Sequence, residues 1–178
     1  MIKLNKYIAL ISEGSSEEAI LDLLLDNDLL IFKRSDLLEE EVIRSRSGLT
    51  FEERYLRKGF NDKISILRVI DSRNEQFKIS KAYKDKVDVI NIITAPEIEM
   101  LIILNENKYK EFKKSNKKPS TFCKENLKMK YVKTYDFVYN YFSNTNSLIN
   151  SIKEYNRISN TKDNEYTLLD IIKVSFKH

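Results

Sequence analysis

Histidine, cysteine, glycine, proline and tryptophan are all scarce or missing in this chain, and each scarcity removes a class of protein. A single histidine, His178, leaves little room for a Ser-His-Asp arrangement. A single cysteine, Cys123, has no partner for an internal disulfide, and one histidine beside it makes no zinc-binding set. Three glycines and two prolines in 178 residues are too few for the many turns of an all-β chain. No apolar run approaches the ~18 residues of a spanning helix. The opening MIKLNKYIALISEG meets charge too early for a secretory signal, so a cytoplasmic protein without membrane contact is expected.

Hydrophobic residues make up 42% and charged residues 33%, the balance of a folded chain rather than a disordered one. The length suits one domain with a small helical appendage. Lysine and arginine number 31 against 27 acids, a formal net charge of +4, too mild for a dedicated nucleic-acid coat. The placement says more. Arg44, Arg46, Arg54, Arg57 and Lys58 gather in one segment, and Lys108, Lys110, Lys113, Lys114, Lys117 and Lys118 in another. Such clusters can neutralise phosphates without reading sequence. The lysine run reads as a solvated face. The arginine segment stays open between phosphate contact and pairing with Glu39, Glu40, Glu52 and Glu53, which crowd the same stretch.

The hydrophobic pattern switches repeatedly between strand and helix periods. Residues 6–12 read as a strand and 15–27 as a helix, with 29–33 extended and 41–46 a further strand. Residues 50–58 read as a helix opened by Thr50, with Glu53 three positions on as a capping box. The run ISILRVI at 64–70 is β-branched and apolar, a strand ending on the polar Asp71-Ser72-Arg73-Asn74. A polar helix or turn over 75–85 leads to a strand at 87–94, and Pro96 is placed to open a helix over 97–104. This alternation defines an α/β fold, a mainly parallel sheet flanked by helices over residues 1–108. Beyond it the pattern is helical, at 119–127, 135–142, 147–155 and 168–173. Residues 109–178 are therefore expected as a helical extension packed on the sheet or against a partner. Its Tyr135, Val138, Tyr139 and Phe142, at helical spacing, read as core.

The stretch 7–27 is the most informative. An apolar strand halts at Ser12-Glu13-Gly14 and an amphipathic helix follows at once. Open α/β sheets hold their ligands at the carboxyl ends of strands. A carboxylate there, followed by a glycine that allows a sharp turn, makes a ligand for a hard cation. Taken alone, Glu13 reads as a solvated loop residue. It is not alone, because Asp71 and the Glu97/Glu99 pair follow two later strands. Carboxylates converging on one edge repel unless cations neutralise them, and Mg²⁺ takes one or two carboxylates plus phosphate oxygens.

The order strand–Glu-Gly–helix, strand–Asp, then strand–Pro-x-x-Glu with an apolar helix resembles the Toprim fold. It is most similar to the RloB-like branch of restriction-modification and abortive-infection loci. The matching residues are Glu13-Gly14, Asp71 and Pro96-Glu97-Ile98-Glu99-Met100-Leu101-Ile102-Ile103, within residues 6–112. Glu17, a few positions past Glu-Gly, is similar to an acidic residue of the overcoming-lysogenization-defect nucleases. The family's Asp-x-Asp stands here as Asp71-Ser72-Arg73, so its second carboxylate is missing.

The resemblance implies a magnesium-dependent phosphodiester nuclease, with manganese as a substitute ion, in phage defence or on a mobile element. Glu13, Asp71, Glu97 and Glu99 would hold the metal, Glu17 would be the base, and Arg73 would stabilise developing charge. Glu13, Asp71 and Glu99 would thereby be both catalytic and metal-binding. Arg44, Arg46, Arg54 and Arg57 would hold neighbouring phosphates. The altered Asp-x-Asp keeps a second class open: a module that binds nucleic acid or nucleotide without cutting it. A third is a protein-partner subunit of a defence system that uses the helical tail.

Overall fold

The computed structural model describes residues 2–58, 62–73, 75–162 and 165–177. Asn74, His178 and the side chain of Lys58, each part of the sequence reading, lie outside the described residues. Strands β1 (Tyr7–Ser12), β2 (Ile43–Arg44), β3 (Ile64–Ile70) and β4 (Val87–Ile93) form one sheet in the order β2-β1-β3-β4. Every neighbouring pair is parallel, with Leu10 beside Leu67 and Leu67 beside Ile90. The central strands are apolar runs because a parallel sheet is covered on both faces. Side-chain alternation then sorts them: Leu10, Leu67, Val69 and Ile92 enter one core, and Ala9, Ile11, Ile64 and Ile66 the other. Fully burying one such Leu or Ile stabilises by about 1.5–3 kcal/mol.

The first core lies under α1 (Ser15–Asp26) and α3 (Met100–Asn105), joined by α4 (Tyr109–Ser115), α5 (Pro119–Glu125), α6 (Tyr135–Tyr141), α7 (Thr145–Ile158) and α8 (Leu168–Ile171). Ala19, Ile20, Leu23 and Leu24 of α1 meet Phe122, Val138, Phe142, Leu148 and Ile152 of the later helices in one continuous cluster. Backbone links draw the tail closer still. The Ile93 amide donates to Tyr166 O at 2.7 Å, and the Ile31 amide to Ile171 O at 2.9 Å. The helical extension thus shares its core with the sheet. The second core lies under α2 (Gly48–Tyr55), where Phe51 and Tyr55 pack with Phe77 and Tyr83 of the β3–β4 connection.

Three expected boundaries are corrected, and residues 75–85 take the turn of the two expected alternatives. Strand β2 keeps two of the six residues expected at 41–46, being an edge strand with one neighbour. Helix α2 starts at Gly48, because Ser47 caps it by accepting from the Thr50 amide (3.3 Å), in place of the Thr50–Glu53 box. Gly48 suits that start, since a Cβ there would collide with the Lys78 carbonyl. Residues 75–85 form no α-helix; a short 3₁₀ turn, Lys84–Lys86, precedes β4. Helix α3 begins at Met100 rather than at 97, because residues 97–99 first make a tighter turn, with the Met100 amide on Glu97 O at 3.1 Å. Among the described residues no helix is long and apolar enough to cross a membrane.

Candidate active-site cleft

Parallel strands end together, so Glu13 after β1 and Asp71 after β3 lie on one edge of the sheet. The turn before α3 brings Glu99 to the same place. A cleft of about 330 Å³ opens there, lined by Glu13, Glu17, Asp71, Glu75 and Glu99 together with Arg46 and Lys133. Five carboxylates face two cations.

Glu13 follows β1 directly and faces Arg68 across the sheet end. Its side chain is 8% exposed, and Oε1 lies 3.7 Å from the Arg68 guanidinium without a hydrogen-bond partner. Burial pushes its carboxyl up to about 8, helped by a hydrogen bond and charge repulsion from Glu75 and by the charge of Asp71. A hydrogen bond between two carboxyls requires a shared proton. Arg68 opposes the rise and is itself 1% exposed, with Nη2 3.4 Å from Glu75 and its guanidinium over the Phe77 ring at 4.7 Å. Burial lowers the Arg68 pKa, and the charges of Glu13 and Glu75 resist that.

Glu99 and Glu17 form a second buried pair. The Ser16 hydroxyl donates to Glu99 at 3.1 Å and lies 3.4 Å from Glu17. Burial pushes Glu99 up to about 7, with the charges of Glu97 and Glu17 adding to it and Lys133 opposing it. Burial also raises Glu17, with the charge of Asp71 behind it. Glu17 is 8% exposed and faces the cleft. The φ of Gly14, −141°, is extended backbone open to any residue, so no sharp turn demands glycine, and a Cβ there would meet only the carboxylate end of Glu17, at 2.7 Å from Oε2.

Of the other expected site residues, Arg46 alone lines the cleft. Glu97 turns to the Ser120 amide (2.7 Å) and Lys133 (3.1 Å). Burial alone would raise it, but those donors outweigh burial and hold it below the ordinary carboxylate value. Arg73 leaves the cleft for Glu165 (2.8 Å) and Asn160 O (2.9 Å), because its strand-end segment runs beside the chain after α7. Arg46 reaches the Glu13 carbonyl at 3.4 Å and lines the cleft. Arg44 lies at the rim on Glu18 and Ser15. Arg54 pairs with Glu39 (3.1 Å) and Arg57 with Glu53 (3.8 Å), the self-pairing that the dense acids of that segment allow.

Three residues of the site went unread in the sequence. Arg68 had a signal: it shares strand parity with Ile64 and Ile66, so a charge there had to be buried on an apolar face. Glu75 and Lys133 had none, since irregular segments carry them to the cleft. Among the described residues no three acidic, histidine or cysteine side chains stand as a ready cage for a metal ion. The donor chemistry nonetheless fits one. All the acids are hard oxygen ligands of the kind magnesium and manganese take, and the buried Glu13 Oε1 lacks a hydrogen-bond partner.

The fold and cleft define an α/β protein with a carboxylate site at the carboxyl edge of a parallel sheet. No protein-family model, curated protein or solved structure matches the chain.

Proposed function

We propose that this protein is a Toprim-like, metal-dependent phosphodiester nuclease centred on the acidic cleft. The observation that carries this reading is the buried Glu13 Oε1, without a hydrogen-bond partner, beside Asp71 and Glu75 at the end of a parallel sheet. So many carboxylates in one cleft are stabilised more by a divalent ion than by protons at neutral pH. Glu13, Asp71 and Glu99 would hold the ion, and Glu75 offers the carboxylate that Arg73 withholds from Asp71-Ser72-Arg73. Magnesium or manganese, when bound, would polarise the scissile phosphate and acidify a water. Glu17, raised above the ordinary carboxylate value, can take a proton from attacking water. Arg46 and Lys133 can face phosphate oxygens. The RloB-like resemblance supports a role in phage defence or on a mobile element.

A second reading has its own observation. Asp71-Ser72-Arg73 lacks the second carboxylate of the Asp-x-Asp, and a cleft so altered would bind nucleic acid or nucleotide without cutting it. Calorimetric titration of Mn²⁺ and Mg²⁺ into wild type, Glu13→Gln and Asp71→Asn separates the two, with a cleavage assay on mixed single- and double-stranded DNA and RNA. A nuclease takes up the ion and cuts, and both variants lose uptake and cleavage together. Absence of ion uptake by the wild type at millimolar metal, with no cleavage, overturns the nuclease reading and leaves the binding module.

A further inference from the structure

At Asp71 the cleft adjoins further depressions. Asp71 also lines a second depression with Pro96, Phe112 and Lys117. Pro96, Phe112 and Lys117 in turn line a third, of about 360 Å³, whose walls add Tyr109 and Lys113. The three adjoin through shared lining residues, in series from the carboxylates to the α4 face. Their chemistry changes along the way. Acids crowd the first part, whereas cations and aromatic rings line the last.

Resting on the nuclease reading, we propose that the substrate is single-stranded nucleic acid, threaded along these depressions with a base against Tyr109 and Phe112. The two rings are half-buried, so each keeps a face or edge to offer. Phe112 is braced edge-on by Phe122 at 5.6 Å and 82°, which fixes its orientation before any ligand arrives. Lys113 is exposed, with Nζ 5.8 Å from the Tyr109 ring centre, where an ammonium can meet a phosphate beside a stacked base. Aromatic rings interleaved with cations hold single strands, because unpaired bases have free faces and duplex bases do not. The lysine run that reads in sequence as a solvated face is then in part the wall of a substrate path.

Fluorescence anisotropy tests this in EDTA, so that cleavage plays no part. The probes are 12-nucleotide oligo-dT, oligo-rU and a blunt DNA duplex of equal length, at low ionic strength. Either or both single strands should bind roughly tenfold tighter than the duplex, and the two oligomers separate DNA from RNA. Tyr109→Ala should weaken single-strand binding roughly tenfold while Tyr109→Phe retains it. Lys113→Glu, an exposed change that spares folding, should lower affinity and flatten the salt slope by about 0.7. Equal or tighter duplex binding, no single-strand binding at all, or single-strand affinity unmoved by both Tyr109→Ala and Lys113→Glu overturns the proposal. Duplex binding with metal-dependent cleavage would leave the nuclease reading standing and remove only the single-strand path. Single-strand binding sensitive to these variants, without cleavage in Mg²⁺ or Mn²⁺, would do the reverse.

Discussion

Replacing Glu13 by glutamine keeps shape and removes one titration, so its effect on stability should depend on pH in a calculable way. Burial and Glu75 push the Glu13 carboxyl from its ordinary 4.5 to about 8. Below pH 4.5 both folded and unfolded chains hold the proton, and Glu13 costs nothing. Between 4.5 and 8 the unfolded chain has released it and the folded chain keeps it, so stability falls as pH rises. Above 8 the loss is complete. At 1.36 kcal/mol per unit the full shift converts to at most about 5 kcal/mol, and water screening in the cleft reduces this to about 2 kcal/mol. Urea denaturation of wild type and Glu13→Gln in EDTA at pH 4, 7 and 9 measures it. The variant should gain on the wild type from pH 4 to 9, and magnesium should narrow the gap by stabilising the wild type alone. A difference that stays constant over that range would mean that Glu13 is ionised and solvated, and the account of the cleft would fail.

Two further outcomes test the frame that holds the cleft. Gly48→Ala forces a Cβ against the Lys78 carbonyl and should cost about 1–3 kcal/mol, read as a lowered denaturation midpoint. Phe142→Ala should cost about 3–5 kcal/mol, because the ring is fully buried in the core shared by sheet and tail; a loss below 1 kcal/mol would show the tail to be peripheral.

The parts of the fold that were legible are those where periodicity and burial agree. Strand β3 matches its expected residues because ISILRVI is buried on both sides and bounded by charge. Strand β4 and helix α6 each end one residue from expectation. Strand β2 shrank because one hydrogen-bonded neighbour holds less than two. The helix before Glu99 slipped because Pro96 sets where a helix can start but not how many residues turn first. In the cleft, strand ends fix Glu13 and Asp71 in space, whereas Glu99 arrives by the turn between β4 and α3. Glu97 looked equivalent to Glu99 two positions away, yet the Ser120 amide and Lys133 turn it aside, and no local rule carries that information. Arg73 was misplaced for the same reason, its partner Glu165 being 92 positions away.

The tail's backbone links have a consequence for how the molecule opens. The Ile31 amide bonds to Ile171 O, the Lys173 amide to Leu29 O, and the Ile93 amide to Tyr166 O. A short stretch of late chain thereby grips both the first crossover and the edge strand β4. Loss of that grip exposes amides at two distant places at once, so solvent hydrogen should exchange into Ile31 and Ile93 at matched rates. Sheet and tail then behave as one cooperative unit, and the carboxylate edge inherits the rigidity of that late stretch of chain.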